Sequence, residues 1–463
     1  MKPNLLPYSL IFLGILIGLS ACRAGQNGAP TTNPASATST PVENTPTPTR
    51  TRPPRTVFVR PTLAVTETQA ITPTNDPSIP SATPNPTLES NPPNATPTPP
   101  PDQPRVSSTR TPTQTGPIPS PTSAATPAKP FVQTPPLQFL SMVDDLNGWG
   151  LTDRYILRTA DGGKQWINTT PGGGFPAGSI LQGFFLNVNQ GWVVVPASDF
   201  LTGVLYRTSD GGNTWQSTSV PFGATQLFFL DAENGWAMAD RGSSAGSQAV
   251  DIYQTTDNGQ TWIAVYQMTP GQADEPGTIP YTGSKLGISF HDTLNGWITG
   301  TVSTPNTAWI FTTGDGGRTW SKQNLVIPAN YQSSILAIQP PRFYGVAEGL
   351  LAVRLTQASS ATSLFTTNDS GVSWQNTNPV PVSGPIDCIS LQACWVWNGV
   401  TLAATEDSGK TWRQARTNVN LSSSLVLIDF TSQTNGFALS IPQIGSSILY
   451  QTVDGGKTWT PLW

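Results

Sequence analysis

Residues that do chemistry are scarce in this 463-residue chain, which has one histidine and three cysteines. One histidine excludes a multi-histidine metal site. It leaves a Ser-His-Asp site only His291, which stands directly before Asp292 and reads as a surface residue. No metal and no cofactor is therefore expected. Charge is scarce too, with Asp, Glu, Lys and Arg at 11% of residues. From residue 137 onward 14 Lys/Arg face 22 Asp/Glu, a net charge of −8. Nucleic-acid binding, which needs many phosphate-neutralising cations, is excluded on that ground. The apolar run Leu10 to Gly18 is too short to span a bilayer.

That run follows Lys2 and reads as an export signal over residues 1–21. It ends in Leu19-Ser20-Ala21-Cys22, which resembles the lipobox of bacterial lipoproteins. The resemblance implies that Cys22 is acylated and becomes the mature N-terminus. The chain would then be lipid-anchored to the cell membrane on its extracytoplasmic side. Proline is the abundant residue of the next segment, since 28 of the 46 prolines lie between Pro30 and Pro136. Residues 22–136, rich in Pro and Thr and nearly free of aromatics, read as a disordered stalk. It would reach about 60 Å as a random coil and about 350 Å fully extended, and its proline content favours a length between the two.

From residue 137 to 463 one unit recurs seven times. Thr159-Ala160-Asp161-Gly162-Gly163-Lys164-Gln165-Trp166 is followed by TSDGGNTW, TTDNGQTW, TGDGGRTW, TNDSGVSW, TEDSGKTW and TVDGGKTW. The aspartates are Asp161, Asp210, Asp257, Asp315, Asp369, Asp407 and Asp454, about 49 residues apart on average. That period fits a four-stranded propeller blade. Trp149, Trp192, Trp236 and Trp297 each follow a glycine, and Met142, Phe185, Phe229 and Phe290 stand seven residues earlier. Phe343 with Gly349-Leu350, and Phe430 with Gly436-Phe437, are degenerate copies. Each unit reads as apolar strand, tight turn, Trp strand, strand ending in Thr, aspartate turn and final strand, with glycine where the turns need positive φ. The fold expected is all-β: a seven-bladed β-propeller with four-stranded blades.

The unit resembles the Asp-box, or bacterial neuraminidase repeat. With its Gly-Trp strand it is similar to the photosystem II stability/assembly factor family of propellers. That family is non-catalytic and holds reaction-centre polypeptides during biogenesis. The seven aspartates read as structural, because each carboxylate can accept its own turn's N–H groups and seven equivalent sites cannot share one active centre. Twelve of the 15 tryptophans belong to the repeat, which leaves Trp309, Trp397 and Trp463 for any sugar platform. In the sixth unit Cys388 takes the Phe position and Cys394 the Gly position. Facing each other across paired strands outside the cytoplasm, they are expected to form a disulfide; two buried thiols are the alternative.

A sialidase would need an arginine triad with an Arg-Ile-Pro motif, and no Arg-Ile-Pro occurs. The first turn of each unit and the aspartate turn share one face and are uniform. The other connections vary: Pro171–Ser179, Ala239–Ala249, Gln267–Lys285 and Gln357–Ser363. Diverse loops are where propellers carry function. The binding face is expected there, with Asp240, Arg241, Asp274, Glu275, Tyr281 and Arg354 as candidates for a protein or glycan partner. The function expected is that of a monomeric binding or assembly propeller and not an enzyme. An extracellular carbohydrate-binding or glycosidase propeller is the alternative.

Overall fold

The computed structural model describes residues 129–463, apart from Ala245, Gln272 and Ala273. The export segment 1–21, the acylation site Cys22 and the stalk as far as residue 128 lie outside the described residues. Among the described residues nearly all regular structure is antiparallel strand, and the helical pieces are the 3-10 turns Pro171–Gly173 and Ala329–Tyr331.

Each sequence period folds into an up-and-down sheet with its strands in chain order. The first holds Phe139–Met142, Gly148–Leu151, Ile156–Thr159 and Trp166–Asn168. Phe131–Val132 adds to its outer edge, ahead of the boundary expected at residue 137. Equivalent sheets cover 182–220, 225–266, 386–416 and 425–461. A nine-stranded sheet holds two more such groups, 284–322 and 335–376, joined by the pair Thr301 and Ala337.

The glycine before each tryptophan has a different reason from the one expected. Its cross-strand partner is the apolar residue of the first strand, as in Phe229 opposite Gly235 and Phe290 opposite Gly296. A Cβ on Gly235 would sit 2.5 Å from the Phe229 ring, and one on Gly296 would sit 2.4 Å from Phe290. Glycine is there to make room for the ring. Positive φ occurs instead at the two residues after each repeated aspartate, such as Gly316 and Gly317 at 78° and 100°.

The same phenylalanine packs outward on the tryptophan of the preceding sheet. Trp192 stacks on Phe229 and Trp236 on Phe290, each at 3.7 Å, and Trp395 stacks on Phe430 at 4.1 Å. Such pairs contribute about 0.5–1.5 kcal/mol each beyond area burial. Departures from the pattern come in pairs, because the two side chains share one interface. Where the tryptophan is replaced by Leu350, the next sheet has Cys388 for phenylalanine, and both pack in one cluster with Cys394. Where it is replaced by Phe437, the partner across the interface is Met142. The second case joins the last sheet to the first. Met142 N donates to Asp429 Oδ2 at 2.6 Å, and Trp463 Nε1 donates to Gly163 O at 3.0 Å. The succession of sheets therefore closes on itself, which is a β-propeller. Cys388 and Cys394 are disulfide-bonded across a Cα–Cα distance of 4.1 Å, as the repeat register implied.

Candidate functional site

The repeated aspartates are occupied by their own turns. At Asp315, Thr313 Oγ1 donates to Oδ1 at 2.8 Å, Thr319 N donates to Oδ1 at 2.9 Å, and Thr319 Oγ1 donates to Oδ2 at 2.7 Å. Gly317 N in turn donates to Thr313 Oγ1 at 3.0 Å. The set recurs at Asp210, Asp257, Asp369, Asp407 and Asp454. At Asp161 the hydroxyl donor to Oδ2 is missing, because Gln165 stands in that place, but Thr159 and the Gln165 amide still bond Oδ1. Bonds from the Ser373 hydroxyl and amide, then from Thr367, hold the Asp369 carboxyl at about 2. Partial burial works against the Asp315 charge, yet bonds from Thr319 and Thr313 hold it at about 2 as well.

A second set of structural carboxylates was not anticipated. Asp144, Asp231 and Asp292 each accept the backbone N–H two and three residues on, and the side-chain amide of Asn147, Asn234 or Asn295. The spacing Asp-x-x-Asn directly before Gly-Trp is the signal that could have revealed it. His291 also differs from expectation. Its side chain is only 10% exposed, Nε2 lies 2.8 Å from Val346 O, and the ring meets Phe343 edge-on at 4.4 Å. It belongs to a sheet interface rather than to the surface. Trp309 and Trp397 are 3% and 0% exposed, so neither forms a sugar platform.

On the opposite face the connections are more ordered than the sequence suggested. Ala239–Ala249 is largely hairpin, since Gly235–Ser244 and Ser247–Thr255 pair through it with a bulge between Asp240 and Gly242. Arg241 is built into this hairpin. It pairs with Asp251 at 2.7 Å and donates to Leu201 O, Pro221 O and Tyr253 Oη. Asp240 accepts Gly242 N and Gln248 Nε2. Arg354 lies on another sheet, where it reaches Gly384 O at 3.2 Å and burial lowers its pKa. Of the six candidates, Asp274 and Glu275 line a cavity of about 890 Å³ between the 274–283 connection and the sheet beginning at Ser284. Trp309, Phe311 and Trp320 form part of its wall, with Thr304, Thr307 and Lys322 nearby.

That connection is strapped down by Lys285, which sequence reading missed. The residue is 2% exposed. Its ammonium donates to Gln248 O, Pro280 O, Tyr281 O and Gly283 O at 2.6 to 3.0 Å and lies 4.9 Å from the Trp309 ring. Tyr281 thus serves through its backbone carbonyl. Burial pulls Lys285 down to about 7, against the pull of Asp274 and Asp240. Trp320 N to Gly277 O and Trp309 Nε1 to Thr282 O complete the strap.

A second cavity, of about 400 Å³, lies where the first strands converge. Phe184, Phe228, Ser289, Arg342 and Asp387 line it, each one residue before the phenylalanine or cysteine position of its strand. Arg342 Nη1 pairs with Asp387 Oδ1 at 2.8 Å, and Asp387 Oδ2 accepts Phe430 N at 2.8 Å. The dense protein around the cavity opposes the guanidinium charge even though the side chain is 53% exposed to it, but Asp387 beside it, then Tyr344, raise its pKa above the usual arginine range. Among the described residues no cluster of His, Cys, Asp and Glu could hold a metal ion, and no helix is long and apolar enough to cross a membrane.

Fold and cavities together define a β-propeller with one face of uniform turns and one of diverse connections. No protein-family model matches the chain. A curated xyloglucanase from a Paenibacillus species is 28% identical over 170 residues, covering 32% of this chain. The chain spans only 16% of that relative's length. Similar solved structures include YCF48 bound to a D1 peptide (19% identity, TM-score 0.46, 72% of this chain and 98% of that one). YCF48 from Cyanidioschyzon merolae has 17% identity and TM-score 0.46, over 70% of this chain and 98% of that one. The xyloglucanase of Xanthomonas campestris has 11% identity and TM-score 0.43, over 72% of this chain and 56% of that one.

Proposed function

We propose that the chain is a monomeric, non-catalytic binding or assembly propeller of seven four-stranded blades, resembling the photosystem II assembly factors. It is anchored outside the cytoplasm by a lipidated Cys22 and displayed on the stalk 22–136, and its partner is a protein held on the connection face. The supporting observation is the contrast between the faces. The repeated Asp-box carboxylates are occupied by their own turns, while Asp274 and Glu275 are exposed at a cavity of about 890 Å³. Affinity capture from the native membrane tests this reading. Alanine at Asp274 and Glu275 should weaken recovery of the partner, and alanine at Lys164 and Lys457 on the turn face should leave it intact. The reverse result would sink the assignment. Cys22→Ala should release the protein from the membrane fraction.

A carbohydrate-active reading has its own support, the similarity of 170 residues to a xyloglucanase and the presence of two carboxylates at one cavity. Incubation with xyloglucan separates the two readings. Release of new reducing ends that is abolished by Asp274→Asn or Glu275→Gln would replace the binding function with a glycosidase.

A further inference from the structure

The cavity where the first strands converge is independent of the connection face and differs from it in chemistry. Its charged side is Arg342, whose side chain is 53% exposed and faces the cavity. A guanidinium carries five N–H donors in a planar fork. Among the described residues one of these is used, by Asp387 at 2.8 Å. Asp387 is held in place on its other side, where its second oxygen accepts Phe430 N of the neighbouring sheet at 2.8 Å. The rest of the fork is therefore open to a planar acceptor. Much of the remaining lining is apolar: the rings of Phe184 and Phe228 meet edge to face at 5.9 Å, and Leu227, Pro340 and Ile386 also line the cavity. About 400 Å³ is enough for a small flat molecule.

We propose that this cavity binds a small organic acid, with its carboxylate on the open edge of Arg342 and its flat apolar body against Phe228 and Pro340. A planar fork matches a carboxylate with two parallel hydrogen bonds, which a lysine ammonium cannot make. Apolar lining beside the charge selects for a body without hydroxyl groups, since those would lose water and gain few partners.

Calorimetric titration of the full chain with benzoate tests the assignment. One saturable site is expected. Benzamide, which has the shape without the charge, and glucuronate, which has the charge on a polar body, should each bind at least about tenfold more weakly. Arg342→Gln should weaken benzoate by at least about tenfold. Because Arg342 also braces Asp387, Phe228→Ser is the second variant. It leaves that ion pair in place and should weaken benzoate several-fold, leaving the weak binding of glucuronate unchanged. Absence of saturable benzoate binding overturns the proposal, as does equal binding of benzamide or glucuronate, or an unchanged affinity in a folded Arg342→Gln protein.

Discussion

The turn face and the connection face of this propeller use polar side chains in opposite ways. On the turn face a carboxylate serves the backbone a few residues away, and the arrangement repeats from Asp161 to Asp454 with little change. On the connection face the arrangement changes from one connection to the next: Asp199 and Asp240 serve backbone two or three residues away, whereas Arg241 and Lys285 also reach across long separations. Arg241 bonds Leu201 and Pro221, and Lys285 gathers carbonyls from Gln248 to Gly283. Local satisfaction makes the first face indifferent to what surrounds it. Long-range satisfaction makes the second depend on the particular connections it holds, and Asp274 and Glu275 stand exposed on it.

The largest test of this contrast is Lys285→Met. It leaves several buried carbonyls without a donor and should cost about 3 kcal/mol in urea unfolding, with new proteolytic cleavage between residues 267 and 285. A change below about 0.5 kcal/mol would mean that the strap does not depend on the ammonium. Next, Thr367→Ala removes the hydroxyl that joins Asp369 to Gly371 N and should cost about 1–2 kcal/mol. The exposed Asp274→Ala should stay within about 0.5 kcal/mol, and equal costs for these two would erase the distinction. Acid gives a third test. Asp369 sits below the unfolded-state value, so its stabilisation is complete above about pH 4 and is lost as pH falls through about 2. A carboxyl titration by NMR that placed Asp369 near 4 would show its turn bonds to be weak. The smallest effect concerns Ser408, which holds φ at 63° where other turns have glycine. Ser408→Gly should raise stability by about 0.5–1 kcal/mol in the same unfolding measurement.

Much of the architecture was legible because it repeats. The four-strand periods, the structural role of the repeated aspartates and the Cys388–Cys394 bond all follow from aligning one unit on the next. What repeats is short-range, so each copy carries the same information. The candidate site was legible only in part. Asp274 and Glu275 line the large cavity, but Arg241 proved to be hairpin structure and Arg354 belongs to a different sheet. His291, which reads as a surface residue in the sequence, lies at a sheet interface, and Trp309 and Trp397 are buried and so provide no sugar platform, since burial there depends on the neighbouring sheet.

The sequence by itself determined the sheet period, the turn chemistry and the register that brings Cys388 opposite Cys394, because these depend on residues a few positions apart. Only the tertiary structure decided which substitutions compensate across interfaces, as Leu350 does with Cys388 and Phe437 with Met142. It also decided that Lys285 would lie in a cage of carbonyls and that Arg342 would face a cavity beside Phe228. Those groups are far apart or aperiodic in the chain, and they meet only when the sheets pack side by side and the last closes on the first.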